Sequence, residues 1–465
     1  MMKITSIRLK KVRCFKEITV DLCEEGHACS ALIAGNNGSG KSAVLRSIAM
    51  GLCDQASSGA LLRELPGDFV RSSGKNSNRT AEIEVSLQDC DQGESFRLNT
   101  EISSSKKLGF ETVKLTILDS KNKEIPQEKF EWGKIFVAAY GAGIRTEGTE
   151  DYVQYFSADA VYSLFKYSQT LQNPELVWRR LLDASGDIGS EATQNDKIPA
   201  VLASILDLDS EASTTESNAT TDAVSLENNG IFIKGKGWEP QELSAVGDGY
   251  RALTTMVVDL LGWQLLAQNN ETILDETSEH ASSAWTPLDW RNLKGIVIID
   301  ELEKHLHPRL QRKVISRLAK IFPEVQFIIS THSPLCVSGA ADVEGNGFKI
   351  LKSFRNEKGE QKIEKNSVPV GYRADQVLVD YFDLETTVSP EFEKKVNELR
   401  RLSLKRATEK LGKEEARRLE KLSRELEKNA PLLYEREQDR EIELRTEKYH
   451  KKLIKLLEKV DAEDD

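Results

Sequence analysis

Ala31-Leu-Ile-Ala-Gly-Asn-Asn-Gly-Ser-Gly-Lys-Ser-Ala-Val-Leu45 is the stretch that decides the fold. The apolar run Ala31–Ala34 reads as a buried strand, and Lys41 to Leu52 continues at helical spacing. Between them, Gly35 to Ser42 follows the pattern G-x-x-x-x-G-K-[ST], which average residue frequencies produce by chance in a chain of this size on the order of one time in a hundred. The strand and the helix supply the context that the pattern requires. Glycines let backbone N–H groups come close to phosphate oxygens, and a helix N-terminus adds partial positive charge. Asn36, Asn37, Gly38, Ser39, Gly40, Lys41 and Ser42 are therefore the expected nucleotide-binding residues. Lys41 is expected to reach the outer phosphates and the Ser42 hydroxyl to ligate Mg²⁺.

Three further segments follow in a fixed order. Gly295-Ile-Val-Ile-Ile-Asp-Glu-Leu-Glu-Lys-His-Leu-His-Pro308 opens as an apolar run that fits a central parallel strand, with two carboxylates at its C-terminal tip. There Asp300 can hold the metal ion, while Glu301 orients or deprotonates an attacking water. Phe327-Ile-Ile-Ser-Thr-His-Ser-Pro334 places His332 at the tip of another strand, where it can contact a γ-phosphate. Glu303, His305 and His307 could be mistaken for metal ligands, but two histidines two apart just past a strand do not complete a tetrahedral set. The remaining segment, second along the chain, is Leu243-Ser-Ala-Val-Gly-Asp-Gly-Tyr-Arg251. Together the four describe a machine for binding and hydrolysing ATP.

The 465 residues allow two or three domains. A net charge of −11 with 30% charged residues gives a solvated surface rather than a nucleic-acid sponge. The six cysteines show no CxxC spacing, which points to reduced, mostly buried thiols. With no long apolar run and no apolar leader, the expected location is the cytoplasm, away from membranes.

Ile4–Leu9 and Ile18–Leu22 read as two strands around a turn. Thr80–Leu87, Ser95–Ile102 and Thr112–Leu118 read as an antiparallel subsheet. After Phe136–Tyr140 the pattern turns helical from Tyr152 to Asp183. Asp207 to Asn229 is rich in Ser, Thr and Asn, with six acidic residues, and reads as a mobile acidic insertion. From Glu391 to Asp465 the chain has 21 Lys+Arg against 20 Asp+Glu, so the remainder carries −12. Leu419, Leu422 and Leu426, then Leu453, Leu456 and Val460, mark apolar stripes on charged helices broken near Pro431. Such stripes pack on the body of the same chain or on another subunit.

The four segments resemble the ABC-type ATPase superfamily, in the branch that holds the SMC, RecF and OLD proteins. The resemblance implies an α/β fold: an ATPase head over residues 1–345, with a mixed central sheet, an antiparallel subsheet and a helical lobe near 145–260. A C-terminal helical region over 346–465 would serve assembly or partner binding. It also implies a head-to-tail dimer, able to assemble further, in which Ser244, Gly247, Asp248 and Gly249 act in trans on the partner's ATP. This segment is longer than the family's LSGGQ-like signature, and Tyr140–Gly143 stands where a glutamine loop is expected. About two hundred residues between Ser42 and Leu243 are too few for long coiled-coil arms, and the 131 residues after Pro334 show no nuclease-like acidic constellation. That layout is similar to the PtuA family of Septu anti-phage systems and its retron-associated relatives. The family implies a slow ATPase partnered by a separately encoded HNH nuclease, with DNA met through that complex. Two alternatives stand beside it. A RecF-like DNA repair ATPase would bind DNA directly through Arg8, Lys10, Lys11, Arg13 and Lys16. A nucleotide-locked scaffold would use ATP only as glue.

Overall fold

The computed structural model describes residues 1–430 except 25–26, 66–67, 72–77, 106–109, 144–151, 185–193, 209–222, 228–229, 236, 271–285, 287, 289–291, 344–346, 385–388 and 409–410. Two compact units are present, Met1–Asp383 and Leu384–Asp465.

The first unit is built on a six-stranded sheet in the order Val137–Tyr140, Gly295–Ile299, Val325–Thr331, Ala31–Gly35, Lys349–Arg355, Gln361–Lys365. The first five strands run parallel, and the last closes a hairpin on its neighbour. Why the central strands are apolar at successive positions follows from their two covered faces. Ile33, Ile296, Ile298 and Ile328 point into one core, while Leu32, Val297, Ile299 and Ile329 point into another. A strand buried on both sides cannot alternate apolar with polar residues.

The first core lies between this sheet and an antiparallel sheet ordered Glu17–Asp21, Met2–Lys10, Asn78–Asp89, Ser95–Ser105, Glu111–Asp119, Glu124–Ile125. Helix Lys41–Gly51 packs into the same core through Val44, Leu45 and Ile48. Gln326, fully buried, joins the two sheets: its amide donates to the Ile4 and Cys29 carbonyls, and its oxygen accepts the Ile4 N–H at 2.7 Å. Both N-terminal strands and all three subsheet strands lie where the alternation predicts them.

The second core supports the lobe formed by helices Pro174–Asp183 and Asp248–Gln268. They cross closely at Gly262, where a Cβ would meet the Val177 side chain at 2.6 Å. Continuous helical pattern from Tyr152 to Asp183 is not what forms. A short helix Ser157–Val161 ends in a 3₁₀ turn, and a new helix starts at Asn173, whose side chain caps Leu176 N–H ahead of Pro174. The expected mobile acidic insertion, Asp207 to Asn229, forms regular structure at its C-terminal edge. Residues 209–222 lie outside the described residues, but Val224–Glu227 forms a strand against Gly230–Ile233. Asp207 is a structural anchor, with Lys313 Nζ at 3.0 Å and Arg317 and Arg309 beside it.

The expected head boundary at residue 345 is corrected. Lys349–Arg355 pairs in parallel with Ala31–Gly35, so the phosphate-loop strand has neighbours on both edges, and the unit continues through helix Ala374–Phe382 to Asp383. Of the cysteines, Cys29, Cys53 and Cys336 are buried and Cys90 is exposed; none forms a disulfide. No helix among the described residues is long and apolar enough to cross a membrane.

In the second unit, helices Pro390–Thr408 and Lys413–Asn429 form a hairpin. Leu419, Leu422 and Leu426 pack on Val396, Leu399 and Leu402. The stripe thus finds its partner within its own unit. At about 1.5–3 kcal/mol per buried side chain, this seam is what holds the hairpin together, with the partly exposed pairs Arg418–Glu398 and Lys405–Glu415 flanking it. Leu453, Leu456, Val460 and Pro431 lie outside the described residues.

Candidate nucleotide site

The phosphate loop is held from two sides by contacts that only glycine permits. A Cβ on Gly35 would lie 2.2 Å from the Ser353 carbonyl oxygen, and one on Gly40 would lie 2.6 Å from Cys14 Sγ and the Phe15 ring. Gly40, at φ 92°, is also the N-cap of helix Lys41–Gly51, which has no side-chain cap and no acid in its first turn. Its leading N–H groups are thus left for an anion. Asn36, Asn37 and Gly38 are exposed, and the Asn36 amide donates to the Phe382 carbonyl at 2.8 Å. Ser353 Oγ donates to the Ser39 carbonyl at 2.7 Å, so the loop rests on the strand beyond the expected boundary. Ser39 Oγ is buried with no hydrogen-bond partner. A buried hydroxyl without a partner is costly, and here it lies in a loop shaped for phosphate. The donor set fits a nucleotide.

Lys41 is 4% exposed, and its ammonium donates to the carbonyls of Gly35 (2.7 Å) and Asn36 (3.0 Å). Burial pulls its pKa down to about 8 against the opposing pull of Asp300, Glu303 and Glu301. Ser42 stands half-buried at the next position.

Asp300 and Glu301 follow the strand Gly295–Ile299 directly. Asp300 is 3% exposed, accepts the Ser330 hydroxyl, and donates its own N–H to the Tyr140 carbonyl at 2.8 Å. Ser330 Oγ also accepts the Glu301 N–H at 3.0 Å, so one serine sets both acids. Glu301 adopts φ 54°, a left-handed conformation uncommon for such a residue. His332 Nδ1 is 3.3 Å from Lys41 Nζ, and His332 Nε2 is 3.7 Å from Glu301 Oε1. Burial, then Lys41, lowers the His332 pKa, which favours the neutral ring. Ser42 and Asp300 supply the hydroxyl and carboxylate that suit Mg²⁺.

Among the residues read from sequence, the structure gathers Lys41, Asp300, Glu301 and His332 at adjoining strand tips. It does not bring Ser244, Gly247, Asp248 and Gly249 into hydrogen-bonding contact with them. That segment is anchored by buried Leu243 and Val246, while Ser244, Gly247 and Asp248 are exposed. Asp248 pairs with Arg251 at 2.8 Å. Helix Asp248–Gln268 starts at Gly247, and a Cβ on Gly249 would lie 2.5 Å from the His305 carbonyl oxygen. The same helix carries Asp259, buried, which accepts the Tyr140 hydroxyl at 3.0 Å and the Gln172 N–H at 3.0 Å. Position 140 thus ties the lobe to the acid at 300 without a glutamine.

His307 Nδ1 accepts the Arg309 N–H as a helix cap, and no cluster of three candidate ligands occurs among the described residues. Sequence reasoning assigned no role to Ser330 or Asp259. Ser330 could have been noticed as the polar residue inside an apolar strand; Asp259, one acid in a long apolar helix, likewise.

An AAA-domain family model matches residues 6–212, and a second, described as an AAA domain, putative AbiEii toxin, Type IV TA system, matches residues 281–338. The chain is 23% identical over 392 residues to the Septu protein PtuA of Bacillus mycoides (strain KBAB4), covering 82% of this chain and 44% of that one. These matches make the chain similar to AAA-domain proteins and to the Septu protein PtuA. It is also 36% identical over 96 residues to the retron Vc95 probable ATPase of Vibrio cholerae serotype O1 biovar El Tor, over 21% of this chain and 17% of that one. The chain spans less than half the length of these two relatives. Among solved structures, the SMC head domain from Thermotoga maritima aligns over 79% of this chain and 100% of its own, with TM-score 0.40 and 14% identity.

Proposed function

We propose that this chain is the ATP-binding and hydrolysing subunit of a cytoplasmic anti-phage defence complex, and that it controls a separately encoded HNH nuclease. The observation that carries the hydrolytic part is the convergence of Lys41, Asp300, Glu301 and His332 beside a phosphate loop with an unpartnered buried hydroxyl. The likeness to a Septu protein and a retron ATPase supports the defence setting.

Glu301, a third exposed, accepts a proton from the water that attacks the γ-phosphate and aligns that water through its fixed backbone. Lys41 carries positive charge to the outer phosphates, and Ser39 and the loop N–H groups donate to their oxygens. His332 contacts the γ-phosphate and, between Lys41 and Glu301, registers its departure. Mg²⁺, held by Ser42 and Asp300, offsets phosphate charge when bound. Exposure of Ser244, Gly247 and Asp248 supports a head-to-tail dimer in which they cap the partner's nucleotide.

Direct DNA binding is the weaker reading, because Arg8 pairs with Glu17 at 2.6 Å, Lys10 with Glu82 at 3.0 Å and Lys16 with Glu360 at 3.6 Å. Such pairing consumes the positive charge that phosphate contacts need. The test is co-expression with the reading frame beside the gene. The purified chain is expected to hydrolyse ATP, to cut no DNA alone, and to co-purify with an HNH protein. DNA cleavage by this chain by itself removes the proposal. ATP binding without turnover leaves only the nucleotide-locked scaffold.

A further inference from the structure

Both carboxylate oxygens of Glu303, which also acts on the charge of Lys41, are held by hydrogen bonds to the strand end that carries His332. Oε2 accepts the Thr331 hydroxyl at 2.7 Å, and Oε1 accepts the backbone N–H of His332 at 2.5 Å. Thr331 Oγ1 in turn accepts the Ser333 N–H at 2.9 Å. Residues 331, 332 and 333 are therefore all secured from one side chain on the neighbouring loop. That loop is itself rigidly shaped. Left-handed residues bound it at Glu301 (φ 54°) and His305 (φ 67°), and the Glu303 carbonyl accepts the Leu306 N–H at 3.0 Å and the Gln311 amide at 3.3 Å.

We infer that Glu303 is a positioning residue for hydrolysis, holding His332 so that its ring stands between Lys41 and Glu301. The inference rests on the role proposed above for His332. The ring's place depends on the backbone at 332, because a side chain pivots about its own Cα. A hydrogen bond to that backbone N–H and another to the preceding side chain remove the local freedom that would let the ring swing away. Glutamine at 303 keeps the shape, yet its amide NH₂ cannot accept, so one of the two hydrogen bonds is lost. Misplacement on the ångström scale costs up to about 10²-fold in rate.

The test is a kinetic double-mutant cycle on the full chain with Mg²⁺–ATP, read as kcat and as equilibrium affinity for a fluorescent ATP analogue. Glu303→Gln is expected to lower kcat by about 10–100-fold with nucleotide affinity changed by less than about threefold. His332→Ala is expected to lower kcat at least as far. In Glu303→Gln/His332→Ala the loss should equal that of His332→Ala alone, because a residue that acts through the ring has nothing to position once the ring is gone. Thr331→Val, which keeps the contact to the backbone N–H, should lose only a few-fold and should likewise add nothing to His332→Ala. If Glu303→Gln proves poorly folded by thermal unfolding, the Thr331→Val cycle carries the decision. Additive losses, or loss of nucleotide affinity in step with kcat, overturn the positioning role while leaving His332 in place. Wild-type turnover in His332→Ala overturns both that residue's role and this inference.

Discussion

Asp259 is a buried acid faced by polar, uncharged groups: the Tyr140 hydroxyl on the strand Val137–Tyr140, the Gln172 N–H and side chain, and the Trp263 side chain. Burial pushes its pKa from 3.8 to about 6, against those hydrogen bonds. Between the two values the folded protein holds a proton that the unfolded chain has released. The stabilisation this gives is complete below pH 4 and disappears as pH rises through 6. Relative to Asp259→Asn, which does not titrate, the wild-type protein should therefore gain about 1 kcal/mol of stability on going from pH 7 to pH 5. Denaturant midpoints of both proteins at the two pH values check this, since other titrating groups cancel in the difference. No change in the difference would mean that water reaches the carboxyl. Glu301 shows a different economy. Its left-handed backbone is unfavourable, and the Ser330 hydroxyl that accepts its N–H helps to hold it there.

At the scale of elements, what decides the head's extent is an edge. Ala31–Gly35 is flanked by Val325–Thr331 on one side and Lys349–Arg355 on the other. Removing the second neighbour would expose a row of backbone donors and acceptors beside the phosphate loop, and would delete the Ser353 hydroxyl that supports Ser39. A chain cut after residue 345 should accordingly be insoluble or fail to bind nucleotide. One ending at Asp383 keeps the hairpin and the Phe382 carbonyl that receives Asn36, and should bind nucleotide as the full chain does. Solubility and equilibrium binding of a fluorescent nucleotide separate the two. Equal behaviour of both truncations would show that the hairpin is dispensable.

For the whole molecule, turnover and assembly should be linked through Glu301. Glu301→Gln leaves the phosphate loop, Asp300 and the Leu243–Arg251 segment, with its exposed Ser244, Gly247 and Asp248, intact. It should bind ATP normally, turn over roughly 10²–10⁴-fold more slowly, as expected for loss of a general base, and persist as a dimer in ATP. Sedimentation velocity with and without ATP, beside a phosphate-release assay, reads both effects. A variant that remains monomeric in ATP while still binding it would separate dimer formation from the nucleotide site, and unchanged turnover would remove Glu301 from its role.

Much of this site is written locally. A strand buried on both faces is mostly apolar along a continuous run, and a glycine-rich loop that meets phosphate precedes a helix, so Ala31–Leu52, Ile296–Glu301 and Phe327–His332 are readable without a fold. The alternating pattern of the subsheet strands is equally local. Other features depend on residues far apart in the chain. Lys349–Arg355 mixes charged and apolar positions and is a strand because a distant strand has an open edge to fill. Asn173 and Pro174 divide a helical pattern because the chain must turn there onto the helix Asp248–Gln268. The partner of the Leu419–Leu426 stripe, the support that Ser330 gives two acids, and the grip of Glu303 on His332 follow from packing alone. Sequence by itself determined which groups stand at the glycine-rich loop and the strand tips, because local strand, turn and helix patterns place them there. Only the tertiary structure decided what holds them, because hydrogen bonds across strands and helices join residues that no local pattern connects.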